Sequence, residues 1–220
     1  MSAPRALLFD LDGTLIDSAA DLAGSANVAL ESLGREPIPV DQVRRFIGDG
    51  LVMLMKRCLG GDDSLLEPAL EAFREHYRTH LVVQTVPYRG IPQILDRLNG
   101  HPLAVVSNKS ESYCRGILEI LGWSKYFGSV VGGDTVPEKK PSPEPVRRAL
   151  NELGVEASEA LLIGDGTTDV ESGRAAGVTT WAALWGYKPK SALADCGPDA
   201  MIETVDQLRE RLESHPGLMA

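Results

Sequence analysis

A chain of 220 residues is long for one domain and short for two independent ones, and a hydrophobic content of 43% allows a sizeable core. The formal net charge of −9 argues against nucleic acid or an anionic membrane as a partner, so an anionic substrate would need local positive charge to overcome the overall field. Cys58, Cys114 and Cys196 lack the spacing of a disulfide framework or zinc site, and no export segment or bilayer-length apolar run is visible, so a cytoplasmic location is expected.

The first predicted strand is "ALLFDL" (6 to 11), and its end carries two carboxylates, Asp10 and Asp12, at a spacing where like charges repel. Roughly ninety residues separate it from the next strand, far more than a simple strand-to-helix connection needs. Ser18 with Asp21 resembles a capping box, and Leu22, Ala26, Ala29, Leu30 and Leu33 form a helical stripe. Leu66, Leu70, Phe73, Tyr77 and Leu81 form another, so residues 17 to 84 are predicted to be a small all-helical insertion, rejoined to the core by "TVPYRG". Further strands are predicted at 103 to 107, 129 to 133, 160 to 165 and 179 to 184, alternating with helices over Ser112–Leu121, Pro143–Leu153 and Asp169–Ala176. That alternation predicts a doubly wound parallel α/β sheet built from residues 1 to 16 and 85 to 220.

In such sheets ligands bind beyond the carboxyl ends of the strands. Asp10 and Asp12, Ser107, Asn108 and Lys109, and Asp165 all stand at such ends and are expected to share one crevice. Three carboxylates there, Asp10, Asp12 and Asp165, require a cation, and hard oxygen ligands in small number suit Mg²⁺. The segment "KKPSP" (139 to 143) adds a lysine beside a helix N-terminus predicted at Pro143.

"DLDGT" (10 to 14), "SNK" (107 to 109), "KKPSP" (139 to 143) and "GDGTTD" (164 to 169), in this order, resemble the four motifs of the haloacid dehalogenase superfamily of phosphohydrolases. The resemblance spans nearly the whole chain, its helical insertion matches that superfamily's cap, and "GGDTVPEKKP" and "GYKP" make it most similar to the phosphoglycolate phosphatase branch. It implies Asp10 as a nucleophile forming an aspartyl-phosphate and Asp12 as the general acid and base. It also implies a metal held by Asp10, Asp165 and the Asp12 backbone carbonyl. Thr14 would lie near the phosphate, with Ser107 and Asn108 holding its oxygens. Lys140, immediately before proline, would neutralise phosphate charge and pair with Asp10, leaving Lys139 as a solvated neighbour. Asp169 is balanced between metal support and helix capping, since Thr168 with Glu171 resembles a capping box. Close relatives often carry a hydroxyl residue where this chain has Gly166, which bears on how Asp165 is positioned.

His76 and His80 stand four apart without the glutamate of a zinc protease motif, and are expected on an exposed helix surface. "LVMLM" (51 to 55) is expected to be core packing. "FIGDGL" is open between two readings: Asp49 as a plain helix cap, or Gly48, Asp49 and Gly50 as a turn whose following amides face a substrate carboxylate, with Arg44 or Arg45 one turn earlier. The expected reaction is Mg²⁺-dependent hydrolysis of a small phosphorylated metabolite, 2-phosphoglycolate first, by a monomer or weak homodimer. Alternatives are pyrophosphate, a sugar phosphate or a phosphonate as substrate, a mutase, or a phosphate-binding module without turnover.

Overall fold

A computed structural model describes residues 4–215 and Leu218. The chain opens with β1 (Ala6–Phe9) and a two-residue strand β2 (Ile16–Asp17), followed by four helices, α1 (Ala19–Ser32), α2 (Val40–Phe46), α3 (Leu51–Cys58) and α4 (Leu66–Tyr77). It returns through β3 (Val86–Pro87), which pairs antiparallel with β2, to α5 (Ile91–Arg97), β4 (Leu103–Val106) and α6 (Glu111–Ile120). Then come β5 (Ser129–Val131), α7 (Glu144–Leu153), β6 (Ala160–Gly164), α8 (Thr167–Ala176) and β7 (Thr179–Ala183). The last elements are α9 (Lys190–Asp195), β8 (Ala200–Ile202) and α10 (Val205–Glu213).

Six strands form one parallel sheet in the order β5-β4-β1-β6-β7-β8. β1 lies inside it, with Leu8 opposite Ala104 on one side and Leu162 on the other. Because both faces are covered, "ALLF" is continuously apolar, and its alternate side chains divide between two cores. Leu7 and Phe9 enter one with Val105, Ile163, Ile117 and Leu208, while Ala6 and Leu8 enter the other with Val146, Ala149 and Leu150. A further cluster, including Leu22, Ala26, Val43, Met55, Phe73 and Tyr77, belongs to α1 to α4, so the helical cap inserted after the first strand has its own core.

β8, the two-stranded ribbon, and helices α5, α9 and α10 were absent from the sequence expectation. The predicted strand 129 to 133 stops at Val131 because Gly132 and Gly133 pass against the backbone of Glu111 and Asn108. Ser18 and Asp21 make no capping box. Ser18 turns its hydroxyl to Asp12 (2.5 Å), and Asp21 accepts the amides of Val83, Gln84 and Thr85 and the Thr85 hydroxyl. This buried carboxylate clamps the start of the cap to the strand returning from it.

Candidate active site

β1 and β6 lie side by side, so the residues that follow them meet above the sheet. Oxygens of Asp10, Asp165 and Asp169 lie within 4.8 Å of one another, and all three residues are buried. Lys140 reaches the same spot from the loop before α7, with Nζ 3.2 Å from Asp10 Oδ1 and 2.5 Å from Asp169 Oδ1, and donates to the Val106 carbonyl. Asp10 Oδ1 also accepts the Leu11 amide at 2.7 Å, so the described bonds to this carboxylate fall on one oxygen. Asp165 is held by the Thr14 hydroxyl (3.0 Å) and the Tyr187 amide (2.7 Å). Gly186 makes the second bond possible, because a Cβ there would sit 2.2 Å from the Asp165 Cβ.

Three carboxylates face one ammonium in this group. Burial, then the neighbouring Asp169, drives the Asp10 carboxyl up to about 7 against the opposing pull of Lys140. Burial, then Asp10 and Asp169, drives Asp165 up to about 8. Lys140 goes the opposite way from a lone buried amine, since Asp10 and Asp169 outweigh the burial that would discharge it. The remaining excess of negative charge, on oxygen donors alone, fits a hard divalent cation.

The Asp12 carboxylate turns away from that trio. Its Oδ2 lies 2.9 Å from Lys109 Nζ and its Oδ1 accepts the Ser18 hydroxyl. Lys109 is buried and donates at 2.7 Å to the hydroxyl of Tyr77 on α4; burial favours its neutral form, but Asp12 and Tyr77 together prevail and hold its ammonium above the usual range. A cavity of about 480 Å³ lies between cap and core, lined on the core side by Asp10, Asp12, Ser107, Asn108 and Lys109 and on the cap side by residues including Gly50, Leu51 and Tyr77.

A family model described as haloacid dehalogenase-like hydrolase matches residues 7–183. The chain belongs to this family. It is similar to proteins named phosphoglycolate phosphatase over nearly its full length. One from Aquifex aeolicus is 44% identical over 96% of this chain and 98% of its own, and one from Neisseria gonorrhoeae is 37% identical over 95% and 93%. Among solved structures, a predicted phosphoglycolate phosphatase from Haemophilus somnus 129pt superposes with a TM-score of 0.89, covering 96% of this chain and 99% of that one at 26% identity. These matches make the chain an enzyme of the phosphatase kind.

Set beside the motifs of a haloacid dehalogenase-like hydrolase, several residues lie elsewhere than expected. Asp169, not Asp12, completes the carboxylate trio. Asp169 also caps α8 by accepting the Gly166 amide while its carboxylate stands in the acidic trio, and Thr168 and Glu171 form no box. Thr14 is fully buried and spends its hydroxyl on Asp165, leaving none for a phosphate. The Asn108 amide nitrogen donates to the carbonyls of Gly48 and Lys140, both at 3.0 Å, which ties the core to the cap loop. Ser107 lines the cavity and caps no helix, since α6 begins at Glu111. Lys139 is not a solvated neighbour: its Nζ donates to the Asp49 carbonyl across the cleft.

In the cap, the helix cap is Gly50, and Asp49 pairs instead with Arg57 at 2.5 Å. Arg44 is occupied by Asp17 at 3.0 Å, Arg45 is exposed, and neither lines the cavity. "LVMLM" divides: Leu54 and Met55 are buried, Val52 and Met53 are exposed, and Leu51 and Val52 line the cavity. His76 and His80 stack with ring centres 3.8 Å apart, and His76 meets the buried Ser25 hydroxyl at 2.9 Å, so His76 is partly built into the cap. The sequence reading missed the partners of Asp12, namely Ser18 and Lys109, together with Tyr77 and Tyr187. Lys109 lies in the crevice expected for it; what its place in "SNK" does not disclose is the pairing with Asp12.

Proposed function

We propose that the protein is a Mg²⁺-dependent phosphomonoester hydrolase that cleaves 2-phosphoglycolate to glycolate and phosphate, as a monomer or weak homodimer in the cytoplasm. The observation that carries this reading is the pairing of two unlike carboxylates on one loop: Asp10 beside Lys140 and the acidic trio, and Asp12 apart from it beside Lys109. Asp10 Oδ2, the oxygen without a described protein partner, attacks phosphorus, and the bond to the ester oxygen breaks. Asp12, entering the reaction in its protonated form, gives that oxygen its proton and is left as a carboxylate. It then removes a proton from the water that cleaves the acyl phosphate, so phosphate leaves, Asp10 is restored as a carboxylate and Asp12 as the acid. Lys140 holds Asp10 in line and offsets charge on the transferring group, with Ser107 at the cavity wall as a further donor. Asp10 and Asp165 would hold Mg²⁺, with the Asp12 carbonyl and Asp169 in support, and the ion when bound supplies positive charge to the phosphate oxygens.

Residues 17 to 84 act as the cap over a core of 1 to 16 and 85 to 220, and closure excludes bulk water from the acyl phosphate. The names of the full-length relatives and the small cleft support 2-phosphoglycolate, and the turn at Gly48 to Gly50 offers the first amides of α3 to the leaving-group side. The test is phosphate release with Mg²⁺ across 2-phosphoglycolate, pyrophosphate, sugar phosphates and a phosphonate, with Asp10→Asn as the control. Release that is fastest from 2-phosphoglycolate and absent in the control is expected. Release from none of them overturns the hydrolase reading, and a preference for another compound overturns the substrate.

A further inference from the structure

Resting on the proposed reaction, a second question is what distinguishes the substrate's leaving group. In a phosphate ester of a 2-hydroxy acid, the carboxylate is attached to the same carbon as the ester oxygen, so its oxygens lie within about 3 to 4 Å of that oxygen by ordinary bond lengths. The ester oxygen must come within about 3 Å of Asp12 to receive its proton. The carboxylate therefore falls beside Asp12, on the side away from the phosphate. A cation is needed there that is neither spent on the nucleophile nor distant from Asp12.

The cations near the site can be sorted by their partners. Lys140 is engaged by Asp10, Asp169 and the Val106 carbonyl. Arg44 is committed to Asp17, Arg57 to Asp49, Lys139 reaches the Asp49 carbonyl and Lys188 the carbonyls of Arg45 and Ile47. Arg74 lines the cavity from the exposed face of α4, and no contact with Asp12 is described for it. Lys109 alone of these lies against Asp12, at 2.9 Å, and it lines the cavity. Its ammonium has three hydrogens, and the described protein partners, Asp12 Oδ2 and the Tyr77 hydroxyl, use two. Tyr77 also lays its ring 4.8 Å from Nζ, so the charge is fixed in place from the cap side and buried, where a salt-like contact is strongest.

We propose that Lys109 is the specificity-determining residue for the leaving group: its remaining hydrogen takes a carboxylate on the carbon that bears the ester oxygen. The substrate class is then the phosphate esters of 2-hydroxycarboxylic acids, with 2-phosphoglycolate the smallest. A carboxylate one carbon further away, as in 3-phosphonooxypropionate, cannot meet Lys109 while its ester oxygen meets Asp12 equally well. Lys109 thus performs the task first looked for at Arg44 and Arg45.

The experiment compares kcat/KM for 2-phosphoglycolate, 3-phosphonooxypropionate and ethyl phosphate in the wild type, Lys109→Met and Lys109→Arg. All three substrates leave as poor alkoxides, so loss of support for Asp12 affects them alike and cancels in the ratio. Lys109→Met is expected to lower the preference for 2-phosphoglycolate over ethyl phosphate by about thirtyfold, as for one charge-assisted hydrogen bond, and Lys109→Arg to restore part of it. Binding to Asp10→Asn, measured by calorimetry with Mg²⁺, supplies a second readout. Adding Lys109→Met should weaken 2-phosphoglycolate by a similar factor and leave inorganic phosphate unchanged, which also shows that the site is folded. An unchanged substrate ratio, or equal loss of 2-phosphoglycolate and phosphate binding, overturns the proposal. If the wild type releases phosphate from none of the esters, the hydrolase reading has failed separately, and the calorimetric comparison still decides the role of Lys109.

Discussion

Two carboxylates two residues apart acquire different tasks because their surroundings differ. Asp10 sits in the acidic trio with Lys140, whereas Asp12 faces Lys109 and Ser18. Asp10→Asn should abolish turnover in a folded protein, because the amide is nearly isosteric and a poor nucleophile; normal phosphate release from that variant would eliminate the mechanism. Asp12→Asn should cost alkyl phosphates far more than nitrophenyl phosphate, whose leaving group needs little protonation, and equal losses on both would assign Asp12 to hydrolysis of the acyl phosphate alone. The adjacent lysines separate in the same way. Lys140→Ala removes the partner of Asp10 and is expected to lower kcat by a hundredfold or more, an order of magnitude typical for deleting a charge aimed at the transition state. Lys139→Ala removes a contact between loop and cap, and its main effect is expected in KM. The reverse ranking would exchange their roles.

At the scale of elements, the cap loop and the return strand are the places where small changes reach far. Gly50 caps α3 with φ 85°, and a Cβ there would stand 3.1 Å from the Asn108 carbonyl and 3.3 Å from Lys139 Nζ. Gly50→Val should therefore hold the cap away from the core and lower kcat/KM for 2-phosphoglycolate, and a variant with wild-type kinetics would show that the loop tolerates a side chain. Asp21 is a separate device. Burial disfavours its ionised form, but the Thr85 hydroxyl and the amides of Val83, Gln84 and Thr85 prevail and hold its carboxyl below the usual value of 3.8. A depressed folded value gives stability that is present above the unfolded value and lost as pH falls through the folded one, so Asp21→Ala should cost about 2 to 4 kcal/mol near neutral pH and less in acid. Denaturant titrations at pH 7 and pH 3 would check this, and an equal loss at both would show that the charge is irrelevant. This clamp also shows what sequence can disclose. The strands within "LLFDLD", "LAVVSNK" and "LLIGDG" were legible because runs buried on both faces are continuously apolar. Asp21 was misread as a local cap because its partners lie more than sixty residues onward, and the side-chain partners of Asp12 were not legible because Lys109 and Ser18 approach it only in the fold. β8 was missed because three residues at a sheet edge carry too short a pattern.

On the scale of the whole molecule, cap and core meet around a charge cluster that the fold itself does not neutralise. Asp10, Asp165 and Asp169 share Lys140, and burial, reinforced by their mutual repulsion, holds the carboxyls of Asp10 and Asp165 above the usual range. A cation that binds only the folded protein adds stability by mass action, about 2.7 kcal/mol at a hundred times its dissociation constant, or several degrees in Tm for a chain of this size. Chelator should therefore stop hydrolysis and also lower Tm, and Mg²⁺ should restore both. Asp165→Asn separates the two causes. Its carbonyl can keep the Tyr187 amide while its nitrogen donates to the Thr14 hydroxyl, so the local bonds survive and one negative charge disappears. The variant is expected to melt higher than the wild type in chelator, to gain much less from Mg²⁺, and to lose activity. Scanning calorimetry with and without Mg²⁺ decides the matter. If the variant melts lower in chelator and keeps the full Mg²⁺ shift, Asp165 is a structural acceptor for the "GYKP" loop and the metal is held elsewhere.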